Sequence, residues 1–145
     1  IADDFTPAAN AKNISILCPN LPKDITLMSD KQHLRQILEN LISNALKFSF
    51  PHSSITLLCG PKDGRIFILF KDEGPGMDAD DLQHIFNKYS IAAAKPTAGE
   101  ESTGLGLHIV KRLTRELGGE IIAESRINKG SQFTLWFEDK NYNGI

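Results

Sequence analysis

At 145 residues, 41% apolar and 23% charged, the chain has the size and composition of one globular domain with a substantial core. A net charge of −2 provides no whole-molecule field to recruit nucleic acid or an anionic membrane. The longest apolar run, IFILF (66–70), is far short of the roughly 20 residues that a membrane-spanning helix requires.

In chain order, NISIL (13–17) and DITLM (24–28) read as short strands around a Pro/Asn loop. Ser29 and Gln32 then have capping-box spacing. Leu34, Ile37, Leu38, Leu41, Ile42, Ala45 and Leu46 recur at three and four, predicting a helix with one buried face that stops before Pro51. SITLLC (54–59) and RIFILFK (65–71), joined by GPKDG, predict a hairpin whose second strand is apolar on both faces and therefore central. DEGPGM (72–77) follows at once, and DADDLQHIF (78–86) reads as a short acidic helix capped by Asp78 or Asp80. Ser90 to Thr103 is small, polar and patternless, a loop long enough to have a function. It leads into STGLGLHIVKRL (102–113), an amphipathic helix with an apolar stripe of Leu107, Ile109, Val110, Leu113 and Leu117. GEIIAES (119–125) and SQFTLWFE (131–138) close the chain as a hairpin across RINKG. Cys18 and Cys59 lack CxxC spacing, which points to neither a metal site nor a disulfide framework and fits a reducing, intracellular compartment. The chain starts without methionine and in mid-pattern, as a piece of a longer protein would.

Three polar features stand out from this frame. Asn40, Asn44 and Lys47 lie at i, i+4 and i+7, a stripe about a quarter turn from the centre of the apolar one. They read either as a solvated flank or as a magnesium and phosphate site, since an amide oxygen is a hard ligand and an ammonium suits a phosphate oxygen. DEGPGM reads either as a tight turn or as a recognition loop. In the second reading Asp72 accepts a hydrogen bond from an exocyclic amine such as that of adenine, while Gly74 and Gly76 let the loop approach the base. Two glycines opening the TGLGL helix cost about 1 kcal/mol each against alanine in a helix interior. A bare backbone there can bring free amides and the positive helix end to an anion. TGLGL lacks the third glycine of a dinucleotide fingerprint and the GK[ST] of a P-loop, so neither of those explains it.

NLISNALKF, DEGPGM, IFNKY, TGLGL and NKGSQF, in that order, resemble the N, G1, F, G2 and final glycine boxes of the catalytic and ATP-binding domain of sensor histidine kinases. The resemblance runs from about Asn13 to Asp139, within a single domain spanning 1–145. It implies the Bergerat fold, a two-layer α/β sandwich with a mixed sheet of about five strands on about three helices, binding ATP and Mg²⁺ beneath a lid. It implies Asn44 as the Mg²⁺ ligand, Asn40 one turn earlier beside it, Lys47 on the phosphates and Asp72 on the adenine amine. Gly74, Gly76 and Met77 would form the adenine-pocket loop, with Phe48 as a stacking wall. Thr103, Gly104, Leu105, Gly106 and Leu107 would present amides to the triphosphate.

Related ATPases of this fold carry a glutamate as base one turn before the magnesium asparagine, where this chain has Asn40; Glu39 is rotated about 100° away. Water would be poorly activated, and the γ-phosphoryl kept for transfer. None of His33, His52, His84 and His108 sits in an acceptor motif, so the phosphorylated histidine is expected on a separate dimerisation domain, with a response-regulator receiver downstream. The longer protein is expected as a homodimer, cytoplasmic or membrane-anchored, and this piece as a monomer without nucleic-acid or direct membrane contact. The chain departs from the family pattern at Lys88, at Ile91 and at Glu101–Ser102; Lys88 or Lys95 is a candidate for the missing basic contact to the γ-phosphate. A nucleotide-sensing or protein-binding module and a serine kinase of the anti-sigma-factor type are the rival readings.

Overall fold

The computed structural model describes residues 1–89 and 105–144. A short 3-10 helix (Ala2–Phe5) runs into α1 (Thr6–Ala11), followed by β1 (Ser15–Leu17), α2 (Lys31–Phe48), β2 (Ser54–Lys62), β3 (Arg65–Lys71), α3 (Ala79–His84), α4 (Gly106–Glu116), β4 (Glu120–Ser125) and β5 (Ser131–Glu138). The five strands form one mixed sheet in the order β1-β2-β3-β5-β4, with β1 parallel to β2 and every other pair antiparallel. β3 is central, as its two-sided apolar sequence predicts.

The register places Leu57, Phe70, Phe133 and Ala123 in one row across four strands, with Ile68, Leu135 and Ile121 in the next. This face meets Ile37, Leu41, Ile42, Ala45 and Leu46 of α2 and Val110 and Leu113 of α4 in a single core, and α2 and α4 pack on each other. The result is the expected two-layer α/β sandwich. On the opposite face the Arg65 guanidinium lies 4.4 Å from the Trp136 ring centroid, which stands 5.8 Å from Phe67.

Three local expectations are corrected. The segment 24–28 is not a strand: the alternation of Ile25 and Leu27 leaves both only half-buried. The N-cap of α2 is Asp30 rather than Ser29, because its carboxylate directly precedes the first helical residue and its Oδ1 accepts the N–H groups of Gln32 and His33 at 2.9 Å. The β2–β3 connection is two residues, Asp63 and Gly64, both at positive φ, and not the five of GPKDG. Pro61 therefore lies within β2, beyond the three residues that β1 covers, where its missing N–H costs no ladder bond. Before Asn13 the chain forms helical turns, anchored by Ala9 and Ile14, which sink into the core. Asp78 caps α3, one of its two expected caps. Among the described residues no helix is long and apolar enough to cross a membrane.

Candidate functional site

The periodicity of α2 that buries Ile37, Leu41 and Ala45 leaves Asn40, Asn44 and Lys47 half-buried on an adjoining stripe. Phe48, the last helical residue, is also half-buried, and its backbone carbonyl occupies the space that a β-carbon on Gly74 would need. The C-terminal turn of α2 and the loop leaving β3 thus meet backbone to backbone.

Asp72 begins that loop and is 4% exposed. Its Oδ1 accepts the N–H of Gly74 at 3.0 Å and of Ser131 at 3.2 Å, and its own N–H donates to the Ser131 carbonyl at 2.9 Å. Oδ2 takes part in neither side-chain bond. Burial pushes the carboxyl up to about 6, against the two N–H bonds, which pull it down.

The glycines of the loop have partners within the protein. Gly76, at φ +73, presses on the carbonyls of Arg126 and Gly130, and Gly130, at φ +77, presses on the carbonyl of Asp72. Pro75 accepts from Asn128 N–H at 2.7 Å. Met77, buried, donates its N–H to Ser125 Oγ at 2.8 Å, and that hydroxyl reaches the Gly130 carbonyl at 2.9 Å and Ser131 Oγ at 2.8 Å. Residues 72–77 and the β4–β5 turn are therefore one interlocked unit. Ser125 and Ser131 were not singled out in the sequence; two serines flanking a hairpin turn carry no signal until the turn folds against Asp72.

Gly106 behaves differently. It opens α4, and no described atom lies within 4 Å of where its β-carbon would stand. Leu105, the N-cap residue, makes no side-chain capping bond to the first turn. Leu105, Gly106 and Leu107 are each half-buried. Thr103 and Gly104 lie outside the described residues, as do Ile91, Lys95, Glu101 and Ser102.

Glu39 is engaged elsewhere. Its Oε1 accepts from Arg35 Nε at 2.7 Å, and Arg35 also reaches Asp4 Oδ2 at 2.8 Å. The carboxylate adjacent to Asn40 is thus turned toward an exposed ion-pair chain. Among the described residues no three His, Cys, Asp or Glu side chains gather as metal ligands. A divalent ion here would be held by the amide oxygens of Asn40 and Asn44 together with phosphate and water, a donor set that fits Mg²⁺, which keeps several waters and shares substrate phosphates. Lys88 places its ammonium 5.3 Å from the ring centroid of Tyr89, and Lys111 lies 5.1 Å from the Phe86 ring centroid.

Comparison with known proteins bears on the family and the fold. The family model for histidine kinase-, DNA gyrase B-, and HSP90-like ATPases matches residues 29–141. The sensor protein SrrB of Staphylococcus aureus (strain NCTC 8325 / PS 47) is 34% identical over 106 residues, 73% of this chain and 18% of that protein. Full-length ShkA in complex with AMPPNP superposes with a TM-score of 0.76 at 32% identity, covering 93% of this chain and 27% of that one. The catalytic domain of histidine kinase ThkA gives a TM-score of 0.80 at 22% identity, covering 94% of this chain and 86% of that one, a likeness of fold. The chain spans less than a fifth of the length of SrrB.

Proposed function

The chain belongs to the family of histidine kinase-, DNA gyrase B-, and HSP90-like ATPases, and on that premise we propose that it binds Mg-ATP and transfers the γ-phosphoryl to a histidine on a separate dimerisation domain. The acceptor then passes the group to a response-regulator receiver. The cytoplasm supplies both ATP and receiver, and the longer protein acts as a homodimer. The observation that carries the reading is the space beside Gly106 that no described residue fills. Gly74 and Gly76 are required by the protein's own backbone, whereas Gly106 lowers helix propensity with no packing reason among the described residues.

In this reading Asp72 accepts the exocyclic amine of adenine through Oδ2, held in place by the two N–H bonds on Oδ1. Met77 and Phe48 flank the base. The first-turn amides of α4, with Thr103 and Gly104 before them, receive the phosphates at the positive helix end. Lys47 neutralises phosphate charge, and Asn40 and Asn44 offer oxygens to Mg²⁺, which when bound shields the charge that develops in phosphoryl transfer. With an amide at Asn40 and Glu39 held by Arg35, no carboxylate of this stripe is available to deprotonate water. Positioning, not general-base chemistry, is then the contribution of the domain.

The test is incubation with labelled ATP, Mg²⁺ and either a histidine-bearing hairpin or a serine-bearing antagonist protein. Acid-labile label on the hairpin is the expected result. Acid-stable label would make this a serine kinase, and bound ATP without transfer would make it a nucleotide-sensing module.

A further inference from the structure

Lys12 lies between two anchored residues, Ala9 and Ile14, 2% and 3% exposed. The Ile14 N–H donates to the Ala9 carbonyl at 2.8 Å, closing the turn that displays the lysine. Its ammonium donates to the carbonyl oxygens of Leu46 at 2.8 Å and Lys47 at 2.9 Å. These are carbonyls of the last turn of α2, which no downstream helical N–H can satisfy, at the negative end of the helix dipole. The next carbonyl, that of Phe48, is the one seated on Gly74 beside Asp72. Further up the same helix, Asp4 pairs with Arg35 at 2.8 Å. The segment from Ala2 to Lys12 thus runs along the helix that presents Asn40, Asn44 and Lys47 and grips it at both ends. Lys12 precedes the stretch that the family model matches, 29–141.

We propose that Lys12 is a positioning residue for the nucleotide site: by tying down the last turn of α2 it fixes Lys47 and the Phe48–Gly74 contact that orients Asp72. The inference rests on the proposed function, in that the occupant of the site is an adenine nucleotide. It makes the segment before β1 part of the binding machinery, so that a movement of this segment would be felt at the phosphate and adenine ends together.

The experiment compares Lys12→Met, which removes the donors and keeps the aliphatic stem, with Lys12→Gln and with Lys12→Arg, which keeps them. The probe is ADP with Mg²⁺, titrated against the whole chain, with amide hydrogen exchange recorded in the absence of nucleotide. Lys12→Met is expected to weaken ADP by about fivefold and to speed exchange at 45–49 and 72–77 while amides of β3 and β5 keep their protection. Lys12→Arg is expected to restore both. If Lys12→Met does not fold, Lys12→Gln carries the same expectation with a smaller effect. Unchanged affinity and exchange in a folded donor-poor variant would overturn the inference and leave the proposed function standing, as would Lys12→Arg behaving no better than Lys12→Met. Wild-type chain that binds no adenine nucleotide would overturn both.

Discussion

The backbone carbonyl of Phe48 and the α-carbon of Gly74 are in such close contact that no side chain fits between them, which joins the end of α2 to the Asp72 loop. Gly74→Ala must push this carbonyl and the Asp72 carboxylate aside. It is expected to destabilise the fold by about 1–3 kcal/mol, the usual cost of overpacking, and to weaken nucleotide binding with it. Urea denaturation giving a wild-type midpoint would show that the contact is not a constraint.

Gly106→Ala is expected to do the opposite to stability. The added methyl meets no described residue and a helix gains propensity, so the fold should be unchanged or firmer by up to about 1 kcal/mol. Nucleotide affinity should nevertheless fall, because the methyl stands at the helix end assigned to the phosphates. Calorimetric titration with ADP showing full affinity in this variant would remove the helix end from the site.

Asp72→Asn keeps an oxygen acceptor for the Gly74 and Ser131 N–H groups and replaces the other carboxylate oxygen by a donor. Adenine nucleotide binding is expected to weaken by about 1.5–3 kcal/mol, the range for a hydrogen bond to a charged group, with little change in the fold. Equal affinity in both proteins would detach Asp72 from the adenine amine.

The same variant isolates a pH effect. The Asp72 carboxyl is raised by burial from 3.8 to about 6, so between these values the folded chain holds a proton that the unfolded chain releases. Its contribution to stability is therefore present below pH 4 and is lost as pH rises through about 6. Wild type should lose stability relative to Asp72→Asn across that window, by up to about 3 kcal/mol. A stability difference that stays flat from pH 4 to 7 would show that the carboxyl is not desolvated.

Asn44→Ala removes the proposed metal ligand from a half-buried helix face. Phosphoryl transfer to a histidine-bearing hairpin is expected to fall by at least about a hundredfold, while chemical denaturation shifts little. Retention of the full rate would exclude the metal role.

The sequence alone determined the elements whose pattern repeats over many residues. The three-and-four spacing from Leu34 to Leu46, the two-sided apolar β3 and the closing hairpin all appear where read, because burial of an apolar face is a local, periodic requirement. The order of its motifs was likewise enough to identify the ATPase family. Only the tertiary structure decided what each glycine is for. Gly74, Gly76 and Gly130 serve contacts between segments about 26 to 58 residues apart, and Gly106 serves none within the described chain. Nor did any local pattern reveal the two N–H donors that hold Asp72 Oδ1, the Ser125 hydroxyl beneath Met77, or Lys12 on the last turn of α2. Close approach of distant backbones depends on how the layers stack, and a single chain of letters carries the residues that permit such a contact without saying which other residue makes it.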